Sequence, residues 1–159
     1  MKIAGTPIIA GFAAATLVAT FAFAQPSTAV RAASPFAGTW EGKIHDLPGI
    51  RLKIEDTGGK IGGTIVFYFQ ERTDVNSPWH VASESPLPLL APRVEAKALT
   101  FEVQHHKCHG CAELGPNVRF RVDLAGPNEL RLWKLDEGGA APEPGAGLRL
   151  IRQTSSQQP

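Results

Sequence analysis

Hydrophobic and polar residues alternate one by one through most of this chain. Ile50, Leu52 and Ile54 alternate with Arg51, Lys53 and Glu55. Leu99, Phe101 and Val103 alternate with Thr100, Glu102 and Gln104, and Val118, Phe120, Val122 and Leu124 with Arg119, Arg121 and Asp123. A period of two belongs to a strand with one face buried. Asp56-Thr57-Gly58-Gly59, Gly115-Pro116-Asn117, Gly126-Pro127-Asn128 and Glu137-Gly138-Gly139 separate the runs, and these are turn-forming combinations. The pattern predicts about eight strands, at 39–46, 50–55, 61–71, 80–83, 93–96, 99–105, 118–124 and 129–135, with a further one at 148–152. No convincing helical stripe follows the first 24 residues, and prolines interrupt the one candidate, near 83–92. Most links are too short for a crossover, so neighbours in sequence should pair antiparallel. The expected fold is all-β: a single antiparallel, mostly up-and-down sheet closed into a barrel or a strongly curled sandwich.

The two ends follow other patterns. Met1-Lys2, an apolar run from Ile8 to Phe23 and the small-x-small triplet Ala22-Phe23-Ala24 read as a secretory leader over 1–24, cleaved after Ala24. The run is short for a membrane span and lacks a basic stop-transfer flank, and no cysteine follows it as a lipoprotein leader would require. Residues 25–35 are rich in Ala, Ser and Pro and read as a disordered linker, and 153–159 as a polar tail. The folded domain is thus expected over 36–152, in a periplasmic or secreted protein with no stable membrane insertion once the leader is gone. Loss of Lys2 brings the 16 basic residues level with the 15 acidic ones, so no nucleic-acid partner is implied.

Candidate chemistry gathers in one place. Three of the five histidines and both cysteines fall within His105-His106-Lys107-Cys108-His109-Gly110-Cys111. His105 continues the inward phase of its strand and His106 points the other way, so a site would be built beyond the strand end. His106, Cys108, His109 and Cys111 can converge in a turn, and thiolate with imidazole suits zinc or copper. Against this stands a disulfide between Cys108 and Cys111, which an exported chain with one pair of cysteines favours. A loop that short is stabilised by only ~2 kcal/mol in the chain-entropy model, so the bond would trim a hairpin without holding the domain together. Thiol–disulfide exchange is a third reading, but the strand–helix setting of a redox pair is missing. The chain carries no Gly-x-Ser-x-Gly elbow, His-Glu-x-x-His, phosphate-cradling glycine loop or dinucleotide fingerprint, and no enzyme is expected.

The first strand opens Phe36-Ala37-Gly38-Thr39-Trp40-Glu41-Gly42. This resembles the Gly-x-Trp start of the calycin group, the lipocalin-like and fatty-acid-binding-like barrels, and also a group of short secreted bacterial proteins. The resemblance implies that Trp40 plugs one end of a barrel and that an arginine of the last strand, Arg149 or Arg152, lies across it. It also implies a cavity for one small ligand.

Small barrels of about eight strands either fill with side chains or hold such a ligand. Ile65, Phe67 and Phe69, on one face of their strand, and Phe101 are the expected ligand-binding wall. The Pro-rich stretch 85–92 carries Leu87, Leu89 and Leu90, which either pack on the sheet or form a lid. The leading expectation is an exported binding module for an apolar or amphipathic small molecule, needing no cofactor. A periplasmic zinc, copper or redox protein using 105–111, and a protein-interaction or enzyme-inhibitor domain, are the alternatives.

Overall fold

A computed structural model describes residues 32–107, 111–135 and 147–154. The expected leader, most of the linker, Cys108, His109 and the last residues of the tail lie outside them. Nine strands follow in order: β1 (Gly38–Ile44), β2 (Leu47–Thr57), β3 (Lys60–Glu71), β4 (His80–Pro88), β5 (Leu90–Glu95), β6 (Ala98–His106), β7 (Leu114–Gly126), β8 (Glu129–Leu135) and β9 (Leu148–Arg152). They form one sheet in the order β4-β3-β2-β1-β9-β8-β7-β6-β5, every neighbouring pair antiparallel. Among the described residues no helix is long and apolar enough to cross a membrane.

Tight turns explain the meander. His45 (φ 50°) and Asp46 (φ 64°) make a two-residue link between β1 and β2, both in the left-handed region that a type I′ hairpin demands. Gly58 (φ 65°) and Gly59 (φ 90°) do the same between β2 and β3, and the Gly59 N–H donates to Asp56 Oδ1 at 2.7 Å. The alternation read from sequence is the burial pattern: Ile50, Leu52 and Ile54 are buried between exposed Arg51, Lys53 and Glu55. Outward charges pair with one another, Arg119 with Glu102 at 3.2 Å, Arg51 with Glu41 at 3.6 Å and Lys53 with Glu55 at 2.7 Å.

The sheet is not closed into a barrel. β4 and β5 are its two edges, which leaves that part of the expectation corrected. Directions alternate along the sheet order, so its first and ninth members, β4 and β5, run the same way, and only Leu89 separates them. They are two halves of one bent strand. The first half pairs with β3 as far as Pro88↔Thr64, extended by the Leu89 N–H donating to the Gly63 carbonyl at 3.1 Å; the second begins on β6 at Leu90↔Glu102. Ala91, at φ 45°, marks the bend.

The Pro-rich segment 85–92, left between the strands expected at 80–83 and 93–96, is strand on both sides of Leu89. Proline fixes φ at a value compatible with extended chain and lacks only the N–H, so an edge strand tolerates it where a central strand does not. Pro86, Pro88 and Pro92 all lie on this bent strand, at the two edges of the sheet. Leu89 is buried in the core and Leu87 packs against it.

The core lies on the concave face. Phe36, Trp40, Leu52, Ile65, Leu99, Phe101, Val122, Leu130 and Leu150 are essentially inaccessible, each worth roughly 2 kcal/mol of apolar transfer. The two halves of the sheet meet where Phe120 lies 5.8 Å from Phe67 and 5.8 Å from Phe101, centre to centre. At one end the Trp40 Nε1–H donates to the Phe36 carbonyl at 2.8 Å, and the Arg152 guanidinium lies 4.0 Å from the ring centre. Arg152 also donates to the carbonyls of Ala37 (2.6 Å) and Pro35 (2.8 Å). Arg152, and not Arg149, thus lies across the tryptophan; Arg149 pairs with Glu129 at 2.9 Å.

Candidate functional site

A strand that changes partners leaves two splits, one on each side of the change. Above it, β3 at residues 60–63 is paired to β2 but not to β4, and it faces the outer edge of β5. That split holds a hollow of about 560 Å³ with Ser34 and Pro35 in its wall, and the Ser34 N–H donates to Asp56 Oδ2 at 2.7 Å. The entering chain therefore covers part of it. Below the change, β4 at 82–85 and the end of β6 at 105–106, a length of β6 that β5 does not reach, line a second split. This second split holds a cleft of about 790 Å³.

The cleft is where the inward face of the sheet meets solvent. Phe69 shares its phase on β3 with Ile65, which is fully buried, yet is 51 % exposed because no strand stands in front of it. Ser83 and Ser85 are the direct cross-strand partners of Phe69 and Phe67, so they share that inward face. On the opposite wall His105 continues the phase of Phe101 and Val103, and His106 and Lys107 complete the rim. A Cβ on Gly115 would stand 3.3 Å from His105 Nε2, so the ring leans on a strand position with no side chain. Lys107 is ion-paired with Glu113, and Glu71 lies 3.3 Å from His80 Nε2.

Gln70, also in the wall, fixes the neighbouring rim. Its amide NH₂ donates to the carbonyls of Ile44 (2.9 Å) and Pro48 (3.0 Å), which turns Oε1 towards His45 Nδ1 at 2.9 Å. His45 Nδ1 therefore carries the proton of that bond. The His45 ring stacks on Trp79 at 4.2 Å and 2°, and the Arg72 guanidinium lies 4.8 Å from the same indole. This stack ties the β3–β4 loop to the β1–β2 turn.

Of the four aromatic and aliphatic residues expected to line a ligand site, Phe69 stands in the cleft wall and Phe67 is half-buried beneath it. Ile65 and Phe101 sit in the packed core, 0 % and 1 % exposed. Of the expected metal-ligating or disulfide residues, His106 is on the cleft rim and Cys111 is half-buried with Sγ 3.8 Å from the Glu113 carbonyl oxygen. Cys108 and His109 lie outside the described residues. Among the described residues no three His, Cys, Asp or Glu side chains gather as a metal-holding group. Ser83, Ser85 and His105 were not singled out from sequence as site residues. Continuing the alternation of β4 past Ser83 through Ser85 to Leu87 would have flagged two hydroxyls on an inward phase. Comparison of the chain with protein-family models, curated proteins and solved structures finds no match.

Proposed function

We propose that this protein is an exported binding module that holds a small amphipathic molecule in the cleft between β4 and β6. The apolar part of the ligand lies on Phe69, over Phe67, and its polar part meets Ser83, Ser85, His105 and His106. The observation that carries this reading is the 51 % exposure of Phe69 at the end of an inward stripe that passes from buried Ile65 through half-buried Phe67, inside a concave site of about 790 Å³. Ligand sites have this form, concave and of a few hundred Å³, with an apolar surface and a few polar groups. Binding is favoured over catalysis because two charged groups of the wall, Glu71 and Lys107, already have partners. Membership of the calycin group is part of the same proposal. The support is the Gly-x-Trp opening, Arg152 across Trp40, and a last strand that returns to pair with the first.

The test is titration with an amphipathic fluorescent probe, anilinonaphthalene sulfonate, on the native protein and on Phe69→Ala. Half of the Phe69 side chain is already in water, so the variant is expected to unfold within about 1 kcal/mol of the parent. Saturable binding that weakens about tenfold or more in the variant supports the cleft. Equal binding by both proteins, or none by either, removes it.

A further inference from the structure

We infer that the ligand of this cleft is an uncharged amphiphile whose polar group is a hydroxyl or a carbonyl, held by the Ser83 and Ser85 hydroxyls and not by a charge. The inference rests on the cleft reading above and names the class of its ligand.

The charges of the wall are already answered or turned away. Lys107, the one lysine or arginine among the described residues of the wall, is ion-paired with Glu113, and its backbone N–H donates to the Glu113 carbonyl at 2.9 Å. Glu71 stands 3.3 Å from His80 Nε2, with its side chain 67 % exposed at the mouth. Glu84 is the cross-strand partner of Tyr68, so it takes the outer phase of β4, where the Arg51 guanidinium lies 5.6 Å from the Tyr68 ring centre. Gln70 is committed as well, since its NH₂ donates to two carbonyls and its Oε1 accepts from His45.

What the wall leaves over is neutral. Ser83 and Ser85 are half-buried on the inward phase of β4, beside Phe69 and Phe67, and neither hydroxyl has a hydrogen-bond partner among the described residues. His105, on the inward phase of β6, has none either. The phase that holds the serines continues to Leu87, packed against the core, and to buried Leu89. Two hydroxyls thus stand where closing the core alone would call for apolar side chains. A serine hydroxyl donates one hydrogen and accepts through two lone pairs, and a neutral imidazole carries one donor and one acceptor. Such a set satisfies a hydroxyl or a carbonyl. It offers an ionised head no opposite charge, and burying an unpaired charge costs far more than burying a neutral polar group that is hydrogen-bonded. The phenyl rings of Phe69 and Phe67 take the apolar part of the same molecule, one beside each serine.

The experiment compares three compounds built on one ring system, 2-naphthol, 2-naphthoate and 2-naphthylmethylammonium, at about pH 8, where free histidine is neutral. Each is titrated calorimetrically into the native protein, Phe69→Ala and the double variant Ser83→Ala/Ser85→Ala. Anilinonaphthalene sulfonate, whose sulfonate can stay in water at the mouth, reports in parallel on the cleft itself. The expected result is that 2-naphthol binds at least about tenfold more tightly than either ion. It should also weaken about fivefold or more in the serine variant, the loss of one hydrogen bond, while anilinonaphthalene sulfonate still binds there. If 2-naphthol is preferred but binds the serine variant equally well, the preference is for an apolar molecule alone and the inference is overturned. If an ion binds as tightly as 2-naphthol, or 2-naphthol does not bind, while anilinonaphthalene sulfonate binds in a Phe69-dependent way, the cleft reading stands and the inference falls. If none of the four compounds binds in a Phe69-dependent way, both fall together.

Discussion

Arg152 holds three things with one side chain: the Trp40 ring beneath it and the carbonyls of Ala37 and Pro35 beside it. A planar guanidinium can stack and donate at once, and an ammonium cannot do both in this geometry. Arg152→Lys is therefore expected to cost about 1–2 kcal/mol although the charge is kept, measured as a lower midpoint of urea unfolding; an unchanged midpoint would mean that the stack is incidental. Gly63 is constrained more severely. Its φ is 143°, and a Cβ there would stand 1.9 Å from the Lys53 carbonyl oxygen on the next strand. Backbone must move to admit it, so Gly63→Ala should cost more than about 2 kcal/mol in the same assay. The cysteines are to be weighed directly. The expected mass of the denatured protein is two hydrogens below that of the reduced chain, with reductant lowering stability by only ~2 kcal/mol. A full-mass chain carrying a zinc or copper ion would transfer the interest of 106–111 from a clipped loop to a metal site.

The β6–β7 hairpin shows how an element acquires a pH dependence. Asn117 Nδ2 donates to Glu102 at 2.9 Å and Arg119 reaches the same carboxylate at 3.2 Å, and together they hold Glu102 below the usual carboxylate range. A group with a depressed folded pKa stabilises the fold above its unfolded pKa, and that contribution disappears as pH falls through the folded value. Asp74, held down chiefly by the Ser77 hydroxyl, acts in the same direction. The thermal midpoint should therefore fall on acidification below about pH 4.5, and Glu102→Gln should make that fall shallower. A variant with the parent's acid slope would show that the hairpin's ion pair is without consequence. The elements themselves were mostly legible in sequence, because alternation is local: β2, β6, β7 and β8 can be read from ten residues each. β4 was read only to Ser83, since Pro86 and Pro88 resemble a loop until it is known that their strand lies at an edge. Phe69 was legible as inward-facing but not as exposed, because its exposure depends on a missing neighbour, and strand pairing at long range is not written in any local pattern.

At the scale of the molecule one residue organises the cleft. Because β4 and β5 are two halves of one bent strand, Leu89 joins two half-ladders: what the strand gives β3 below the bend it withholds from β6, and the reverse above. β4 and β5 are each paired on one side, whereas β1, β2, β8 and β9 are paired on both. Amide protons of β4 and β5 should therefore exchange by a shared local opening that leaves the rest of the sheet closed, since opening free energies follow contiguous units and not residues. Leu89→Ala tests the sharing. Its side chain is in the core, so truncation should cost about 2–4 kcal/mol, and most of that cost should appear as faster exchange in β4 and β5 alike. Faster exchange in β5 alone would mean that the two halves open independently and that the cleft wall does not depend on the switch. Faster exchange in both means that the wall of the cleft and the point of partner change are one cooperative unit, so a ligand held against Phe69 and Ser83 would slow exchange in β5, which does not line that cleft.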